Sequence, residues 1–126
     1  MTMEIKKISV GIITMLALVG NAYATTMTCP AVANISQTKD GSGYAYVASA
    51  PDAKQWKGEN PMAGDNDLKK VHFKMVSIEK GFVACDYEGK DDAAVRMTLK
   101  VMAKPVGNAW NANTCKNASE SACTFE

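Results

Sequence analysis

Val95-Arg96-Met97-Thr98-Leu99-Lys100-Val101 alternates apolar and polar residues without a break. Successive side chains of a strand point to opposite faces, so Val95, Met97, Leu99 and Val101 fall on one side and Arg96, Thr98 and Lys100 on the other. That is the pattern of a half-buried strand, and it predicts a sheet with one face on a core. Pro105 stops the run. Upstream, Glu88-Gly89-Lys90-Asp91-Asp92 reads as a turn, and before it Phe82–Glu88 sets Val83, Cys85 and Tyr87 on one face. Lys80-Gly81 is a tight-turn signal joining that strand to Leu68–Glu79, in which Val71, Phe73 and Met75 share a face.

Further upstream the same logic continues in shorter pieces. Val32–Gln37 alternates briefly, Lys39-Asp40-Gly41-Ser42-Gly43 is a turn cluster, and Tyr44–Ala48 reads as the returning strand of a hairpin. Lys54–Lys57 fits a short strand around Trp56, and Gly58 to Asp67 is a loop by its glycine, proline and asparagine content. Val106–Glu126 is polar and rich in small residues, an irregular C-terminal arm with Trp110 and Phe125 as apolar pegs. No stretch carries a full amphipathic helical pattern. The expected fold is all-β: a small antiparallel meander of five or six strands, a sandwich or partly open barrel.

The first residues read differently. Lys6 and Lys7 precede the uncharged apolar run Ile8–Gly20, and Ala22-Tyr23-Ala24 places small residues where a signal peptidase cuts. The run is shorter than the ~20 residues of a membrane span. Residues 1–24 are therefore expected to be a signal peptide and 25–126 a single exported domain, periplasmic or secreted, with no membrane anchor after cleavage. Of 14 basic and 13 acidic residues, Lys6, Lys7 and Glu4 belong to the leader, so the remainder carries no net charge with His72 neutral. No basic block is present, which argues against nucleic acid.

All four cysteines, Cys29, Cys85, Cys115 and Cys123, follow the leader. An even number in an exported chain points to two disulfides, and no C-x-x-C pair suggests zinc. Three pairings are possible. We favour Cys29–Cys85 with Cys115–Cys123, because the residues between the last two can curl into a loop.

Residues that could carry chemistry are few. His72, the single histidine, alternates with Val71 and Phe73 and so falls on the polar face of its strand, as a surface histidine would. No G-x-S-x-G elbow is present. Asp65-Asn66-Asp67 opens like a calcium loop, but Lys69 stands at the fifth position and no glutamate closes it. Asp91-Asp92 reads as a solvated turn. No metal, cofactor or catalytic residue is expected. Tyr44, Tyr46, Trp56 and Trp110 are the aromatic candidates for recognition. Trp110 reads as core, and Trp56 reads equally as core or contact residue.

The outline Cys29-Pro30, Ile35, Gly43-Tyr44, Trp56-x-Gly58, Phe73, Cys85-x-Tyr87, Leu99, Trp110, Cys115 and Cys123-x-Phe125 resembles a family of small exported proteins of Gram-negative bacteria, a domain of unknown function. The resemblance spans nearly all of the chain after the leader, with a shorter segment here between Leu99 and Trp110. It implies an exported, disulfide-bonded, mostly β domain and supplies no activity. Ser42-Gly43-Tyr44-Ala45-Tyr46 followed by Trp56-Lys57-Gly58 is also similar, over one hairpin, to periplasmic lysozyme inhibitors, which enter the lysozyme cleft with a serine-glycine-x-x-tyrosine loop. Together these readings predict a non-enzymatic binding module whose partner is a protein or cell-envelope component. Its expected contact residues are Ser42, Gly43, Tyr44, Tyr46, Trp56 and Gly58. The alternative is a periplasmic inhibitor or immunity protein against a lysozyme-like or toxin hydrolase.

Overall fold

The computed structural model describes residues 25–126; the signal peptide expected over residues 1–24 lies outside them. The strands are β1 (Ser36–Asp40), β2 (Gly43–Ser49), β3 (Gln55–Asn60), β4 (Val71–Glu79), β5 (Phe82–Gly89), β6 (Ala94–Leu99), β7 (Pro105–Val106), β8 (Thr114–Lys116) and β9 (Thr124–Phe125). Seven of them form one antiparallel sheet in the order β1-β2-β3-β6-β5-β4-β8, which does not close on itself. The two chain halves meet where β3 pairs with β6. A second, small layer is made by β7 and β9, with Met27 bridged to Phe125 on the other side of β9.

The fold class is all-β, as the alternation predicts. The alternating stretch Val95–Val101 forms β6 as far as Leu99: Val95, Met97 and Leu99 are buried and Arg96 is exposed, while Val101 lies half-buried beyond the strand end. Its neighbour β5 turns Val83, Cys85 and Tyr87 into the core, in register with Leu99, Met97 and Val95. The outer face of the same strands carries a bidentate pair in which Arg96 donates from Nε and Nη2 to Asp86 at 2.6 and 2.9 Å.

Both disulfides have the favoured pairing, Cys29–Cys85 and Cys115–Cys123. All four cysteines are buried. The first bond staples the N-terminal segment onto β5, the second folds the C-terminal arm back on itself. Beside the first, the Tyr87 hydroxyl donates to the Pro30 carbonyl at 2.6 Å, so one strand holds the N-terminal segment by a covalent and a polar link. These bonds are compatible with an exported protein, and no helix among the described residues is long and apolar enough to cross a membrane.

Several details differ from the expectation. The stretch Val32–Gln37 holds a 3-10 turn over Val32–Asn34, and β1 begins at Ser36 and takes in Lys39 and Asp40 of the expected turn. The count is seven strands in the main sheet and two outside it, because the arm read as irregular contributes β7, β8 and β9. Strands of two or three residues are too short to show alternation, and tertiary pairing alone defines them. Residues Asp67–Lys70 form one turn of helix, α1, so β4 begins at Val71 and not at Leu68. The loop expected over Gly58 to Asp67 starts later, since β3 runs on through Asn60. Finally, Met75 does not share the face of Val71 and Phe73. A bulge between Phe73 and Met75 shifts the register, so Met75 faces the side of Asp86 and Val76 takes the core position opposite Cys85. An extra residue in one strand flips every later side chain to the other face.

Burial gives a first testable consequence. Desolvation, with smaller contributions from Glu120 and Asp86, raises the Tyr87 pKa above its ordinary 10.0. Tyr46 is raised from the same value by burial and by Asp67. Each phenol therefore releases its proton at higher pH in the folded chain than in the unfolded one. The stability this confers is present below pH 10 and is lost as pH climbs above it. We expect the urea midpoint to fall on the alkaline side by the equivalent of roughly 1–3 kcal/mol near pH 12. Tyr87→Phe should flatten that limb, and a limb of unchanged slope in the variant would assign it elsewhere.

Candidate functional site

The hairpin tip is where the sequence reading and the structure meet. Gly41 and Ser42 join β1 to β2, and Gly41 has φ 62°, the left-handed region open to glycine. The tip leans on the loop that follows β3. Ser42 Oγ donates to the Pro61 carbonyl at 3.2 Å, and Gln37 Nε2 to the Asp65 carbonyl at 3.1 Å. The Tyr44 hydroxyl donates to Asp65 Oδ1. That bond, more than burial, raises the Tyr44 pKa. Lys39 lies 5.0 Å from the centre of the Tyr44 ring. On the loop side, Asn60 Oδ1 accepts from the Met62 amide at 2.9 Å, and Met62 itself is 88% exposed. Asp65, considered in the sequence as part of a calcium loop, here accepts the Tyr44 hydroxyl.

The six expected contact residues divide into two groups. Ser42 is exposed and Tyr44 is half-buried at the tip. Gly43 sits between them against the loop backbone; a Cβ there would collide with the Asn60 carbonyl. Tyr46, Trp56 and Gly58 are not part of this surface. Tyr46 and Trp56 are each 2% exposed. Tyr46 stands opposite Gly58, and Ala48 opposite Trp56, on the inner face of the β2–β3 pair. Gly58 is where β3 comes close to β6, and a Cβ would strike the Arg96 carbonyl. The reason is phase: Tyr44, Tyr46 and Ala48 are alternate residues of one strand and share a face, and only the outermost of them reaches the tip.

Trp56 is a core residue. Its ring meets Phe125 edge-on at 6.2 Å, and Phe125 meets Trp110 in the same way at 6.4 Å. The Trp110 indole N–H donates to the Thr124 carbonyl at 2.8 Å. Trp56 also borders a cleft of about 810 Å³ between the N-terminal segment, Ser49, Pro51 and Glu120. His72 is exposed on β4, opposite Glu88 on β5, as its phase predicts. The Glu88 carboxylate is taken instead by Lys74, both oxygens at 3.0 Å from Nζ.

The cysteine pairing, the Tyr87 tie to Pro30 and the Trp56 to Gly58 strand together define a small, internally braced domain, and this is the level at which the chain has relatives. The model of a family described as protein of unknown function (DUF3757) matches residues 23–126. The chain belongs to the DUF3757 family. Neither the curated proteins nor the solved structures contain a match to it. Within this DUF3757 domain, the sequence reading missed the partner of the hairpin tip. Pro61, Met62 and Asp65 complete that surface, and they lie in a stretch whose only signal was a loop composition.

Proposed function

We propose that this DUF3757 protein is an exported, non-enzymatic binding module that meets its partner with the hairpin tip and the loop after β3. The observation that carries this reading is the cross-bracing of the tip: side chains from β1, the turn and β2 all bond to Pro61 or Asp65. Bracing of this kind lowers the ordering cost of binding, since the surface is held in one shape before a partner arrives. Met62, exposed and next in the chain to the Pro61 carbonyl that accepts from Ser42, adds an apolar group to the Ser42 hydroxyl and the half-buried Tyr44 ring, the mixture of apolar and polar groups typical of contact surfaces.

The inhibitor alternative is a special case of this reading. A loop entering a hydrolase cleft would have to use Ser42, Tyr44 and Met62, since Tyr46 faces inward. The test is capture from periplasmic and host extracts by immobilised protein, compared with a Ser42→Arg/Met62→Arg variant. Both sites are exposed, so the variant should fold normally and lose the captured partner, with affinity down by at least ~100-fold. Retention of the partner by the variant would remove the tip from the interface. Turnover of a cell-wall, peptide or lipid substrate by the purified protein would overturn the non-enzymatic reading altogether.

A further inference from the structure

The far end of the sheet has a different chemistry. Lys54 lies in the turn between β2 and β3, Lys57 on β3, and Lys100 one residue past β6. β3 and β6 are neighbours, with Lys57 opposite Thr98, so pairing brings these separated lysines together. They line a depression of about 450 Å³ with Ala53, Gln55 and Thr98, and no carboxylate lines it. All three lysines are exposed. The ion pairs among the described residues join Lys70 to Asp91, Lys74 to Glu88 and Arg96 to Asp86, and none takes up these lysines. Asp52 lies in the same turn as Lys54, and Glu59 follows Lys57 by two residues on the same exposed face of β3, but neither lines the depression; the backbone of Glu126 pairs with that of Lys104.

A second observation concerns the segment that leaves this depression. Lys100-Val101-Met102-Ala103-Lys104 crosses from the main sheet to the small one, and Met102 is 79% exposed between the two lysines. An exposed flexible apolar side chain with a lysine two residues to either side, on the segment leaving a lysine-lined depression, matches a lipid interface, where the apolar group enters the headgroup boundary and the cations meet anionic lipid. A soluble anion would use the lysines and leave Met102 without a role.

We propose that this end of the sheet docks on an anionic bilayer surface, with Lys54, Lys57 and Lys100 against the headgroups and Met102 in the interface. The docking is peripheral and salt-sensitive. It leaves the hairpin tip, at the opposite end of the strands, pointing away from the membrane. It is independent of what the tip binds.

The test is co-sedimentation of the protein, recovered from the soluble fraction of the producing cell, with vesicles of phosphatidylglycerol in phosphatidylcholine. We expect binding to these vesicles, little to phosphatidylcholine alone, and release by sodium chloride. Lys54→Glu/Lys57→Glu/Lys100→Glu should weaken binding by at least ~100-fold. Should that variant not fold, the Lys→Gln triple should still weaken it by ~10-fold or more. Met102→Ser should cost roughly 5-fold without altering the salt dependence. Ser42→Arg/Met62→Arg should bind vesicles as the unaltered protein does, which separates this result from the one at the tip. The proposal is overturned if a folded lysine variant sediments unchanged or if neutral vesicles bind equally. It is equally overturned if inorganic phosphate releases the protein more effectively than chloride at matched ionic strength, which would mark a discrete anion pocket.

Discussion

Replacing Cys29 and Cys85 together by alanine should lower stability by about 4 kcal/mol, the largest loss expected from removing either crosslink. The two residues are 56 apart in sequence. The crosslink therefore removes far more freedom from the unfolded chain than Cys115–Cys123, separated by 8, for which the same reasoning gives about 2.5 kcal/mol. The long bond also has a folded-state role. It is the covalent attachment of the N-terminal segment to the central strand β5, and Met27 in that segment completes the small second layer through its bridge to Phe125. A small domain has only about 5–15 kcal/mol in total, so its loss should leave a marginal fold. Denaturant unfolding of the two double variants, under oxidising conditions, measures both numbers. A larger loss from the Cys115/Cys123 variant would contradict the loop-length argument.

Trp56→Ala should cost about 3–5 kcal/mol, the range for emptying a large aromatic site in a core. The site is closed in by Ala48 across the β2–β3 pair and by the edge of Phe125. Phe125 in turn supports Trp110 and pairs through its backbone with Met27 and Pro105. Loss of the Trp56 ring therefore loosens the contact between the two layers as well as the core beneath it. Trp56→Phe should recover more than half of the loss, since a smaller ring fills part of the space. Thermal melting decides the matter. A variant that melts like the parent protein but no longer binds its partner would make Trp56 a contact residue after all.

The two tryptophans show what a sequence can and cannot say here. Trp110 read as core because the arm around it is otherwise polar and an apolar peg needs a hole. Trp56 could be read either way, because a single aromatic in a short alternating segment gives its phase but not which face is inside. The answer depends on β2 and β6, which sandwich β3. The bulge in β4 is of the same kind. Val71, His72, Phe73, Lys74 and Met75 alternate without a flaw, yet the structure breaks phase after Phe73 to bring Val76 opposite Cys85. Pairing with β5 on one side and β8 on the other selects that register, and neither partner is visible in the segment itself.

The hairpin tip proposed as a contact surface was half legible. Ser42 and Tyr44 were found because a turn cluster followed by tyrosines marks an exposed hairpin tip. Met62 and Asp65 were not, since they reach the tip only through the packing of the loop against it. The basic depression was not legible at all. Lys54, Lys57 and Lys100 form no block in the sequence, and their charge is cancelled in the sum over the chain.

By itself, the sequence determined the class of sheet, the strands β5 and β6 and the main turns, and it favoured one of three cysteine pairings, which the structure has. These follow from local rules: alternation on a half-buried strand, residues tolerant of turns, and a polar stretch between Cys115 and Cys123 that can curl into a loop. Only the tertiary structure decided which aromatics are buried, where β4 changes phase, that two- and three-residue strands form in the C-terminal arm, and that distant lysines gather at one end. Those are consequences of pairing between segments far apart in the chain, whose energy comes from burial and neighbouring strands and not from the residues of either segment alone.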